Sequence, residues 1–164
     1  MKKYVFLLVV IFITIPSVNA QNITESIPVF MEKVMAKTSK AEVITLLKAR
    51  KFEIKSKDYI QSTQFMSDEQ ADKCVMGVGN YGITCMKEFN GYGSVYMKAN
   101  YTTFEGIRQE MAKSGYKWVT MSDDGRGTYS KEAADGYRYV IWVLPVQAQD
   151  GTVWGKFEMG REKN

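Results

Sequence analysis

Two cysteines, a glycine-rich run and a surplus of aromatic residues are the side chains of this 164-residue chain that could carry chemistry. There is no histidine. Ser-His-Asp and Cys-His nucleophiles, a histidine general base and His-containing zinc or non-haem iron sites are therefore all excluded. Cys74 and Cys85 are not spaced as Cys-x-x-Cys, and two thiols alone are too few to hold a metal. They flank Gly79-Asn80, a dipeptide suited to a hairpin turn because both residues tolerate positive φ. A hairpin closing there sets the cysteines directly across from each other, at Cα separations of about 4.5–5.5 Å that a disulfide accepts. The expectation is one cross-strand disulfide, with free core thiols as the alternative.

Gly77-Val78-Gly79-Asn80-Tyr81-Gly82 matches G-x-G-x-x-G literally. A dinucleotide site needs that run to open a helix, whereas Ile83-Thr84-Cys85-Met86 continues as a strand, so a hairpin is expected. Ser122-Asp123-Asp124-Gly125-Arg126-Gly127 lacks the spacing of a calcium loop and reads as a β-turn. Acidic residues are plentiful, but no pair is singled out as glycosidase-like partners. No catalytic residue, metal ligand or cofactor is assigned. Aromatic side chains remain, and Tyr92, Tyr96, Tyr137, Tyr139 and Trp154 are the candidates for a ligand-binding sheet face, since Tyr and Trp combine apolar area with a polar handle.

The first twenty residues read as an address. Lys2 and Lys3 precede an apolar stretch from Tyr4 to Ile15, and Val18-Asn19-Ala20 places small residues before a cut at Gln21. This is the three-part pattern of a secretory signal peptide. The stretch falls well short of the roughly 20 residues a membrane span requires. No cysteine at the cut offers a lipid site, so the expectation is a periplasmic or secreted protein that is not a lipoprotein and does not insert in a membrane after cleavage. Of 22 basic residues two lie in this segment, against 18 acidic ones in the chain, and the rest are scattered. Without a basic stripe, nucleic acid is not an expected partner.

Behind the signal, residues 21–160 read as a single α+β domain, followed by a charged, frayed tail over 161–164. Ile27, Phe30, Met31 and Val34 share one face of a helix capped by Ser26 with Pro28 in its first turn. Ser39-Lys40-Ala41-Glu42 is a capping box opening a second helix that ends near Arg50. Residues 51–60 alternate as an extended strand with a turn near Lys57-Asp58, and 66–73 is polar enough for a loop. Strands follow at about 74–78, 81–89 and 92–100, then a helix from the Thr102–Glu105 cap to Ser114. Strands at 116–121, around 128–129, 137–146 and from 153 onward complete the chain. Helices packed on one face of an antiparallel sheet are the expected architecture. Residues 38–54 overlay 102–118 at an offset of 64, which gives two tandem helix-plus-meander units, 38–100 and 102–160, or merely the pattern any capped helix followed by a strand displays.

From Tyr116-Lys117-Trp118-Val119 through Asp124-Gly125, Tyr129, Lys131 and Gly136 to the Val140–Leu144 strand, the chain resembles small uncharacterised exported proteins of Gram-negative bacteria that carry a domain of unknown function. That resemblance implies no activity. The tandem helix-plus-sheet pattern is also similar to the β-lactamase inhibitory protein architecture, which implies a sheet surface that grips a partner. The function expected from these readings is a non-catalytic binding module contacting a protein or cell-envelope ligand. An inhibitor or immunity protein neutralising an exported enzyme is the first alternative, and a hydrolase using carboxylates alone is the second.

Overall fold

A computed structural model describes residues 23–90 and 93–163. The chain runs α1 (Ile27–Met35), α2 (Lys40–Ala49), β1 (Glu53–Ile54), α3 (Lys57–Gln64), α4 (Asp68–Asp72), β2 (Cys74–Val78), β3 (Thr84–Glu88) and β4 (Ser94–Tyr101). It continues through α5 (Phe104–Lys113), β5 (Lys117–Met121), β6 (Gly127–Glu132), β7 (Tyr137–Gln147) and β8 (Val153–Lys163). All strands join one antiparallel sheet in the order β1-β2-β3-β4-β8-β7-β6-β5. Two meanders therefore meet through their last strands. Each follows a helix, and the α+β class expected from the sequence is what forms.

The two helix-to-strand junctions are alike at the 64-residue offset. Ser39 caps α2 and Thr103 caps α5 through side-chain oxygens. Both helices end on a left-handed residue, Lys51 at φ 59° and Gly115 at φ 84°. The next residue then bonds back to the helix in the same way, Phe52 N–H to Leu47 O and Tyr116 N–H to Met111 O, each at 3.0 Å. Phe52 and Tyr116 are both buried by that turn. Bonds of this kind satisfy the orphan carbonyls of the last helical turn.

Helices α1, α2 and α5 cover one face. Phe30, Met31, Val43, Leu47, Ile107 and Met111 pack there on Val75, Cys85, Val95, Met97, Ile141, Val143, Phe157 and Met159. The opposite face is not bare at every strand. Ile60 of α3 and Ala71 of α4 bury Cys74, Met76 and Met86, with Met66 and Tyr96 packed against them. Neither short helix was expected, since residues 51–60 read as a strand and 66–73 as a loop. Local caps override the alternation: Ser56 accepts from Tyr59 N–H, and Ser67 and Gln70 form a reciprocal capping box.

The expected disulfide does not form, because the hairpin register differs from the one assumed. Gly79 N–H bonds to Ile83 O at 2.8 Å, and the chain reverses over Asn80–Gly82, where Tyr81 and Gly82 take positive φ. Cys74 therefore opposes Glu88, and Cys85 opposes Gly77. Moving a partner by an odd number of residues flips the side chain to the other face. Cys74 points under α3 and α4, while Cys85 points into the main core, and both are free thiols. Burial pushes Cys74 up to about 11 and Cys85 up to about 12. The glycine-rich run is thus a β-hairpin, and Ser122–Gly127 is the turn joining β5 to β6, closed by Gly125 N–H on Ser122 O.

The frayed tail expected from Arg161 is instead ladder. Arg161 opposes Tyr139, Glu162 opposes Arg138, and Arg138 donates to Glu162 at 2.9 Å. Strand β8 reaches Lys163, and residue 164 lies outside the described residues. The expected signal peptide over 1–20 also lies outside them. Among the described residues no helix is long and apolar enough to cross a membrane.

Helix α1 lies across the middle of the sheet and is bonded at both ends. Its first N–H, on Ile27, donates to the Glu110 carboxylate at 2.6 Å. At its C-terminal end the carbonyls of Val34 and Met35, with that of Lys37 just beyond, all accept from the ammonium of the buried Lys87, which also sits 5.0 Å from the Phe89 ring. Negative charge at the N-terminus and positive charge at the C-terminus both match the helix dipole. Glu32 accepts from Tyr116 Oη at 3.0 Å and Lys131 Nζ at 2.8 Å. Partial burial works against ionisation of Glu25, but hydrogen bonds from Lys33 and Arg50 hold it down at about 2.

Two outcomes are expected. Lys87→Met strands three carbonyls, that of Val34 buried and those of Met35 and Lys37 partly so, and urea denaturation should show a loss of about 2–3 kcal/mol, against under about 0.5 for the exposed Lys48→Met. Both thiols of the purified protein should react with a maleimide after unfolding without reductant, and intact mass should match the dithiol form.

Candidate functional site

Strand parity divides the side chains of β4, β8 and β7 between two surfaces. Val95, Met97, Phe157, Met159, Ile141 and Val143 point under the helices. Tyr96, Lys98, Trp154, Lys156, Glu158, Trp142, Leu144 and Val146 point the other way. No helix lies over these strands there, and all of these residues keep some exposure.

The register defines rows across this open face. Tyr96 opposes Glu158, which opposes Trp142 on its other side. In the next row Lys98 opposes Lys156, which opposes Leu144. Asn100, Trp154 and Val146 form the third. Trp142 leans over Gly160, where a Cβ would stand 3.3 Å from the indole, so the missing side chain gives the ring its seat. Trp154 carries Lys98 Nζ 4.3 Å from its ring and abuts Gly82 of the hairpin turn. Tyr96 packs beside Met86 against the α3–α4 cluster, which walls the face on that side. A cavity of about 140 Å³ opens among Tyr96, Arg126, Trp142, Leu144, Lys156 and Glu158.

The charges on this face are unevenly matched. Glu158 lies 4.0 Å from Arg126, which also faces Asp124 at 3.7 Å. Lys98 and Lys156 stand directly opposite one another, and neither makes an ion pair with a described residue. Like charges directly across a ladder are destabilising.

The sequence candidates separate on this geometry. Tyr96 and Trp154 lie on the open face, on the adjacent strands β4 and β8 and two rows apart in the same patch. Tyr139 has the parity of Ile141 and packs against the helix-covered core. Tyr137 shares that parity at the end of β7, 37% exposed, with the Arg161 guanidinium 4.4 Å from its ring. Tyr92 lies outside the described residues. The open face is therefore less a tyrosine face than a tryptophan and lysine one, and Trp142, Lys98 and Lys156 were not among the candidates. Both alternating sets of β7 are apolar, so that strand alone does not say which side is covered. Strand β8 does: Val153, Phe157 and Met159 alternate with Trp154, Lys156 and Glu158, and only the second set suits water.

Other depressions offer less chemistry. One of about 670 Å³ is lined by Glu110, Asp150, Tyr101, Tyr81 and Asn100 among others. Its two carboxylates already serve the backbone, Glu110 at Ile27 N–H and Asp150 at Thr152 N–H (2.9 Å). The Tyr101 hydroxyl is buried without a hydrogen-bond partner among the described residues, and burial and the nearby Glu110 charge both keep it protonated. Among the described residues no three His, Cys, Asp or Glu side chains converge as a metal site would need.

No family model, curated protein or solved structure matches the chain.

The facing lysines give a direct stability test. Lys156→Glu places opposite charges across the β4–β8 ladder and should raise stability by about 0.5 kcal/mol in thermal or urea unfolding.

Proposed function

We propose that this protein is an exported, non-catalytic binding module whose open sheet face contacts a protein or cell-envelope ligand. The observation that carries the reading is the Tyr96–Trp142–Trp154 surface, left without a helix over it on strands whose other face packs under helices α1, α2 and α5. Large aromatic side chains on a rigid strand scaffold lose little entropy on contact and supply much of the energy at recognition surfaces. Export rests on the charged, apolar and small-residue pattern of residues 1–20.

The inhibitor reading is a special case in which the bound partner is an exported enzyme, and it uses the same surface. For a carboxylate-only hydrolase, the depression that holds Glu110 and Asp150 has both acids engaged with backbone N–H groups. The binding reading asks nothing of them.

The test is capture from an envelope extract on immobilised protein, followed by mass spectrometry. Wild-type protein and Tyr137→Ala should retain the same specific species, and Trp142→Ala should lose at least about 90% of it, as expected when a central aromatic anchor worth about 2 kcal/mol is removed. Equal retention by the wild type and Trp142→Ala would defeat the reading.

A further inference from the structure

The open face carries positive charge that no described residue pairs with, and that charge narrows the partner. Lys98 and Lys156 face each other across β4 and β8 and neither forms an ion pair with a described residue, while Glu158, two residues along β8 on the same face, lies 4.0 Å from Arg126. Arg126 and Lys156 both border the 140 Å³ cavity over Trp142 and Leu144. A cavity of this size takes one side chain. Lys98 is held over the Trp154 ring, so its ammonium is positioned beside the patch.

We propose that the occupant of this face is an acidic protein segment, which sets a carboxylate between Lys98 and Lys156 while its apolar neighbours lie on Trp142 and Trp154. This rests on the binding-module reading and adds the chemistry of the partner. An incoming carboxylate offers the two lysines the counter-charge they lack and can form charge-assisted hydrogen bonds with their ammonium groups. The aromatic floor explains why the carboxylate would come from a peptide chain: a bare anion would engage the lysines and leave the indoles uncovered. Complementarity of this kind acts on association rate and specificity, and it weakens with salt.

The three tryptophans make the test selective. Trp142 and Trp154 lie on the open face, whereas Trp118 packs edge-on against Tyr129 on the helix side. Indole N–H signals in a ¹⁵N-labelled protein, assigned with Trp→Phe variants, report which face is touched. The probes are two capped heptapeptides, one alternating glutamate and leucine, the other with glutamine in place of glutamate.

The expected result at low salt is that the glutamate peptide moves the Trp142 and Trp154 signals and leaves Trp118 still. It should bind about tenfold more tightly than the glutamine peptide, and that advantage should vanish in Lys98→Gln/Lys156→Gln and in 0.5 M salt. Equal binding of both peptides at Trp142 and Trp154 would overturn the acidic partner and leave the face intact as a binding surface. A glutamate preference that survives the double variant, or shifts confined to Trp118, overturns it too. So does silence from both peptides, in which case capture with Trp142→Ala judges the broader reading separately.

Discussion

The structure depends on one helix held by charge at both ends. Helix α1 packs at the centre of the sheet, and its partners come from parts of the chain far apart in sequence: Glu110 of α5 at its first N–H, Lys87 of β3 at its final carbonyls, and Lys131 of β6 with Tyr116 at Glu32 in its middle. A helix this short is not stable alone, and most of its stability must come from tertiary packing. The apolar side supplies the bulk through Phe30, Met31 and Val34. The polar contacts then decide where along the sheet it sits. Burying Lys87 is tolerable only because three carbonyls receive its protons, and burial still presses its pKa downward.

That helix also makes the two sheet faces unequal. With α1, α2 and α5 over it, one face is covered by helices, and its residues are apolar except for lysines such as Lys87 and Lys131 that bond to α1. The other face has only the short α3 and α4, which stop over β2 and β3. The patch over β4, β8 and β7 is what remains. Its facing lysines oppose stability, whereas the cross-strand pair Arg138 and Glu162 on the neighbouring β7–β8 ladder is matched in sign. A fold that matches charges elsewhere and leaves this pair unmatched has its unfavourable electrostatics gathered where the aromatics are.

Much of the architecture was legible in the chain. The cap at Ser39, the Thr102–Glu105 pattern (one residue before the Thr103 cap that forms), the glycines after the turns, and the alternation of β4, β7 and β8 place three helices and the long strands within a few residues. The short α3 and α4 were less visible, because a one- or two-turn helix has too few residues to show a period. The Ser67–Gln70 capping box was nevertheless present in the sequence. The hairpin register was misread because Asn80–Gly82 closes over three residues with Tyr81 left-handed, a conformation a tyrosine side chain does not advertise. That single displacement separates Cys74 from Cys85.

Local order in the sequence determined the class of fold, the approximate bounds of the three longer helices and the absence of histidine chemistry, because caps, periodicity and composition act within a few residues of where they are written. Only the tertiary structure decided which side of the sheet is covered, which tyrosines are buried, that the cysteines point apart, and that Lys98 meets Lys156. These depend on strand register and on where α1 docks. Both are set by contacts between residues dozens of positions apart, whose pairing no local pattern encodes.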